Sequence, residues 1–90
     1  MAEAQAQELL KQLPGWEVVR GHHLSKMYHF ENFVDALAYV NRLGAVAEAE
    51  GHHPDIFLTW GKVQVKLYTH SINGLSENDF IVAAKVDTIG

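Results

Sequence analysis

From Ala2 to Leu13 the chain is rich in Ala, Gln, Glu and Leu, good helix formers that Pro14-Gly15 then stops, which predicts a first helix over 2–13. Trp16–Arg20, WEVVR, is β-branched and aromatic and reads as a strand, and Gly21-His22-His23 supplies a turn into a second strand, Leu24–Phe30. From Asn32 the period lengthens. Phe33, Leu37, Val40, Gly44 and Ala47 recur at helical spacing, with Ala36, Tyr39, Leu43 and Val46 widening the stripe. The pattern predicts one amphipathic helix of about five turns that ends near Gly51. Its last turn carries Glu48 and Glu50, the wrong sign for the negative end of a helix dipole, so these carboxylates are candidates for another task.

His52-His53-Pro54 breaks that helix, and alternation resumes in Asp55–Trp60 and Val63–His70, joined by Gly61-Lys62 as a two-residue turn. With that loop Trp60 lies opposite Val63, Phe57 opposite Lys66, Asp55 opposite Tyr68, and His53 opposite His70. Ile56, Leu58, Trp60, Val63, Val65 and Leu67 then share the core face, while His53, Asp55, Phe57, Thr59, Gln64, Lys66, Tyr68 and His70 share the wetter one. Ser76-Glu77-Asn78-Asp79 resembles a capping box, with Ser76 as N-cap and Asp79 three positions on, and opens a last helix through Phe80, Ile81, Ala83, Ala84 and Val86. The order αββαββα predicts an α+β fold, a four-stranded antiparallel sheet with three helices packed on one face. Residues 1–90 are expected to form a single domain.

Composition narrows the function classes. The 48% hydrophobic content is that of a packed globule rather than a disordered chain. The net charge is −4 and the basic residues are scattered, so nucleic acid is not an expected partner. No apolar run is long enough to span a membrane, and the start MAEAQAQELLKQL lacks the basic and apolar regions of a signal peptide, so a cytoplasmic protein is expected. With no cysteine there is no disulfide framework and no thiolate metal site. Six histidines, four in adjacent pairs, stand out.

If His53 and His70 face each other across the hairpin, their Cβ atoms are roughly 5 Å apart, with His52 beside them. Imidazole titrates near neutral pH, so such a cluster suits acid–base catalysis. It also suits a metal, although adjacent side chains in extended backbone diverge and the i, i+2 or i, i+4 ligand spacing is missing. A third reading is polar side chains solvated at a strand end. The other pair, His22-His23, reads as a solvated turn, and Trp16 and Trp60 read as packing residues.

Glu48, His52-His53-Pro54, Trp60, His70 and Asp79, at their spacings, resemble the signature of the pterin-4a-carbinolamine dehydratases. Gly15-Trp16, His29-Phe30 and Gly74-Leu75-Ser76 extend the resemblance over the chain from about Gly15 onward. It implies a lyase that dehydrates 4a-hydroxytetrahydrobiopterin to quinonoid dihydrobiopterin plus water in tetrahydrobiopterin recycling, with no metal and no cofactor. It also implies His52 and His70 as the acid–base pair, His53 as the residue that orients the pterin, and Glu48 and Asp79 as substrate-binding or supporting residues. The chain departs from animal members at Ile56, Asn78 and Gly51, where they tend to carry Trp, a basic residue and an acidic residue. The partners implied are a small pterin substrate and copies of the same chain in a homodimer or homotetramer, which also fits the edge strands of a small open sheet. The alternative the resemblance carries is a non-catalytic protein-binding role, since animal members also act as dimerisation cofactors of a homeodomain transcription factor.

Overall fold

The computed structural model describes residues 1–89. Its elements are α1 (Glu3–Leu10), β1 (Glu17–Val19), β2 (His23–His29), α2 (Phe33–Glu50), β3 (Asp55–Leu58), β4 (Lys62–Leu67), a short 3₁₀ turn (His70–Ile72) and α3 (Glu77–Val86). The four strands form one sheet in the order β1-β2-β4-β3, and every neighbouring pair is antiparallel. This is the α+β architecture expected from the pattern.

The core lies between the sheet and the helices. Leu24, Val63, Val65 and Leu67 point to it from the strands and are fully buried. Ala36, Tyr39, Leu43 and Ala47 supply the buried stripe of α2, and Phe80, Val82, Ala83 and Val86 that of α3. The α2 stripe is rotated from the expected one, because Phe33 and Leu37 are exposed and Tyr39 and Leu43 take the centre. Trp16 is buried, stands edge-on to Tyr28, and donates its Nε1–H to Asp87 at 3.0 Å. Burial lifts the hydroxyl of Tyr28 well above its ordinary range, as does its hydrogen bond to the same carboxylate.

The ends of α2 follow from local chemistry. Asn32 accepts the Asp35 N–H at 2.8 Å as N-cap, and Gly51 closes the helix in the left-handed region with φ 62°, where a side chain would be strained. The chain therefore leaves α2 abruptly, and His52 N–H returns to Ala47 O at 3.1 Å.

Both hairpin turns differ from expectation by one position. In the first, Arg20 (φ 55°), Gly21 (φ 64°) and His22 are the loop residues, His22 N–H bonds Val19 O, and His23 begins β2 opposite Val19. In the second, Thr59 N–H bonds Lys62 O at 2.9 Å, so Trp60-Gly61 rather than Gly61-Lys62 form the loop. Asp55 thus faces Lys66 and Phe57 faces Gln64. Gly61 serves close approach rather than a turn dihedral. A Cβ there would come within 2.9 Å of Phe30 O, and Gly61 O accepts the Phe30 N–H at 2.8 Å. The shift leaves Ile56, Leu58, Val63, Val65 and Leu67 on the core side, but it puts Trp60 at the loop tip, 70% exposed, where it packs no core.

Candidate active site

Asp79 is the centre of the site. Its side chain is fully buried, and it accepts three hydrogen bonds: from His52 Nε2 at 2.5 Å on one carboxylate oxygen, and from Thr69 Oγ1 at 3.0 Å and Ser76 N–H at 2.9 Å on the other. The last belongs to the capping box of α3, so the cap expected of this carboxylate forms, and the same group also holds His52. With the Thr69 hydroxyl committed to Asp79, the Ser76 hydroxyl donates to Thr69 Oγ1 at 2.6 Å. Three donors on one buried carboxylate compensate its desolvation. They also join α2's exit, β4's exit and α3's start at one residue.

His52 lies at this junction, its side chain 14% exposed. A carboxylate on Nε2 fixes the ring's tautomer and orientation and leaves the lone pair on Nδ1. His53 turns the other way, as adjacent residues in extended backbone do. Its Nε2 donates to Glu48 Oε2 at 2.7 Å, and both side chains are mostly exposed, at 62% and 79%. Glu50 pairs with Lys85 at 2.7 Å. The two misplaced carboxylates of the last helical turn therefore have partners beyond α2.

His70 is not opposite His53. β4 ends at Leu67, β3 begins at Asp55, and the observed register points Asp55 at Lys66, so the anticipated cross-strand histidine pair does not form. His70 instead opens the 3₁₀ turn, one residue after Thr69, and is exposed. The connection between His52 and His70 thus runs through Asp79 and Thr69, not through the hairpin ladder. Among the described residues, no three or more His, Asp or Glu side chains are grouped as a metal ion would need.

Three contributors escaped the pattern. Thr69 carries no periodic signal. Tyr68 was placed on the open face only by alternation, and its ring lies 4.4 Å from that of His70. His22, expected in a solvated turn, is partly buried with its ring 4.7 Å from that of Tyr68. His22 lies in the turn as expected, the adjacent doublet is its signal, and its packing on Tyr68 comes from the fold and not from the turn. A cleft of about 420 Å³ lies between α1 and the first hairpin, lined by Ala6, Val18, Arg20, Gly21 and Leu75 among others, and none of the three candidate catalytic histidines borders it.

The chain is 52% identical over 83 residues to a protein of Rubrobacter xylanophilus provisionally named a pterin-4-alpha-carbinolamine dehydratase, covering 92% of this chain and 78% of that one. It is 50% identical over 91 residues to a Halorhodospira halophila protein of the same provisional name, covering 100% of this chain and 84% of the relative. Among solved structures, a transcriptional coactivator/pterin dehydratase from Brucella melitensis superposes with a TM-score of 0.92 at 33% identity, covering 99% of this chain and 96% of that one. A pterin dehydratase-like protein described as a RuBisCO assembly factor in the alpha-carboxysome superposes with a TM-score of 0.68 at 25% identity, over 81% of this chain and 86% of that one. The family model for pterin 4 alpha carbinolamine dehydratase matches residues 1–89, and with the fold and these relatives in agreement the chain belongs to that family.

Proposed function

We propose that this protein dehydrates a 4a-hydroxytetrahydropterin such as 4a-hydroxytetrahydrobiopterin to the quinonoid dihydropterin and water, with His52 and His70 as the proton-transfer pair. The C4a–O bond breaks as one imidazolium protonates the departing hydroxyl. The N5–H proton passes to the other, neutral imidazole, and the electron pair left at N5 forms the new double bond to C4a. One proton is given and one is taken, so the net charge of the pair is unchanged, a proton exchange through water resets the two rings, and no redox partner is needed. The reaction requires only groups that exchange protons near neutral pH, which imidazole does with little cost.

The observation that carries this reading is the Asp79 junction. A buried carboxylate orients His52 and, through Thr69, anchors the residue that precedes His70. Asp79 is then a positioning residue. His53, held by Glu48 at the exposed side, is assigned to orienting the pterin, with Glu48 supporting it. Tetrahydrobiopterin recycling is the setting that fits such an activity, and a cysteine-free chain suits the cytoplasm. The test is the rate of dehydration of enzymatically generated 4a-hydroxytetrahydropterin above its spontaneous rate. His70→Ala should lower the catalysed rate about 10²-fold with the fold intact, and a soluble His70→Ala protein of wild-type rate would refute the assignment.

A homo-oligomer is part of the proposal. β1 and β3 are open sheet edges, and Met27 and Phe57 stand exposed on the face of the sheet opposite the core. Light scattering should find a particle larger than the 10.1 kDa chain at micromolar concentration. The same exposed surface favours a second reading, a protein-binding role without catalysis. The assembly-factor description of one structural neighbour supports that reading for the fold, and a wild-type chain with no dehydratase activity would select it.

A further inference from the structure

The proton-transfer reading leaves His22 unused, and it leaves His70 without a visible means of orientation. His52 is held by Asp79 and His53 by Glu48, whereas the His70 ring makes no hydrogen bond among the described residues. What contacts it is the Tyr68 ring, edge-on at 4.4 Å with 62° between planes. Tyr68 in turn packs against His22 at 4.7 Å.

His22 also reaches the turn that carries His70. Its Nε2 lies 3.0 Å from Asn73 Oδ1. Asn73 ends the His70–Ile72 turn in the left-handed conformation, φ 48°, and its N–H bonds His70 O at 3.2 Å. Thr69 and Gly74 close the same loop below, with Thr69 N–H bonding Gly74 O at 2.8 Å. The bond pattern sets the protons. An amide oxygen only accepts, so His22 carries its hydrogen on Nε2, and its Nδ1 lone pair accepts from His23 Nδ1–H at 3.0 Å. One ring therefore touches both the loop that holds His70 and the aromatic side chain that packs it.

We infer that His22 is a positioning residue for His70, fixing the His70 turn through Asn73 and holding Tyr68 against the His70 ring. The inference rests on the assignment of proton transfer to His70. Proton transfer tolerates little displacement, since a misplacement of about 1 Å can cost about 10²-fold in rate. Loosening the turn should therefore lower kcat and leave KM nearly unchanged, because substrate binding is assigned to the His53 side.

The test measures kcat and KM for dehydration in His22→Ala, His22→Gln, Asn73→Gly and the double variant His22→Ala/Asn73→Gly, with His70→Ala alongside. His22→Ala should lose about tenfold in kcat. His22→Gln should recover most of that loss, because its side-chain amide can still donate to Asn73 Oδ1. Asn73→Gly keeps the left-handed backbone and removes only the acceptor, so it should match His22→Ala, and the double variant should lose no more than either single one. If His70→Ala is inactive while folded His22→Ala and Asn73→Gly turn over like wild type, the positioning role is wrong and the assignment of His70 stands. If the two single losses multiply in the double variant, or Gln restores nothing, the His22–Asn73 link is not the device and the inference falls. A wild-type rate in His70→Ala would instead overturn the underlying assignment.

Discussion

His52 and His53 are neighbours in sequence, each donates Nε2–H to a carboxylate, and the two pairs have opposite character. The His52–Asp79 pair is 14% and 0% exposed and joins residues 27 positions apart; the His53–Glu48 pair is 62% and 79% exposed and spans 5 positions. In the first, low dielectric and two further donors make the carboxylate part of the structure. In the second, water competes for both groups and a surface pair contributes little stability. A doubled histidine thus gives two unlike rings, one held rigidly by a buried carboxylate and the other paired at the surface.

The largest effect is expected from Asp79→Ala. It strands the donors of His52, Thr69 and Ser76 and removes the box that starts α3, so unfolding free energy should fall by about 2–4 kcal/mol in urea titration. The catalysed rate should fall with it. A loss below about 1 kcal/mol would mean that the buried pair resembles the exposed one after all. Next in size, His52→Ala should reduce dehydration about 10²-fold, and His53→Gln should act mainly on KM, with a fall in kcat of about tenfold at most. Equal kcat losses in steady-state assays would erase the distinction between the two rings.

Glu48→Gln is expected to change stability by about 0.5 kcal/mol or less, and to do so only at low salt, since the pair it breaks is exposed. Denaturation midpoints in low and high salt measure this directly. The smallest effect concerns His23, whose pKa is held below 6.5, first by burial and then by His22, Lys66 and Arg20, with Asp55 opposing them. A histidine depressed in the folded state binds protons more readily when unfolded. Its contribution to stability is therefore complete above about pH 6.5 and is lost as pH falls below that value. His23→Gln should flatten the fall in stability between about pH 7 and pH 5 relative to wild type. A wild-type slope in the variant would assign that dependence to other groups.

Much of the site was legible from residue types. Glu48, His52, His53, His70 and Asp79 are singled out by the family resemblance, and the structure ties four of them into two hydrogen-bonded pairs. The route by which His70 joins them was not legible. The hairpin arithmetic put the loop at Gly61-Lys62, on the reasoning that a glycine marks a turn. Gly61 is needed instead because Phe30, just past the end of the neighbouring strand β2, comes too close for a Cβ. That error moved the register by two pairs, while it left the inward and outward faces unchanged. His22 lies in the first turn as the sequence suggests, but its partners Tyr68 and Asn73 are 46 and 51 positions away, beyond the reach of any local pattern.

The sequence by itself determined the order of helices and strands, the inward and outward sides of the strands, the cap at Ser76 and Asp79, and which side chains are of a type that exchanges protons. These depend on propensity, alternation and capping, all of which act over a few residues. Tertiary structure alone decided strand register, the rotation of the α2 stripe, and which carboxylate each histidine meets. Those outcomes are set where segments distant in the chain come within contact. There the close passage of Gly61 by Phe30, or the burial of Asp79 among three donors, outweighs the preference of any short stretch.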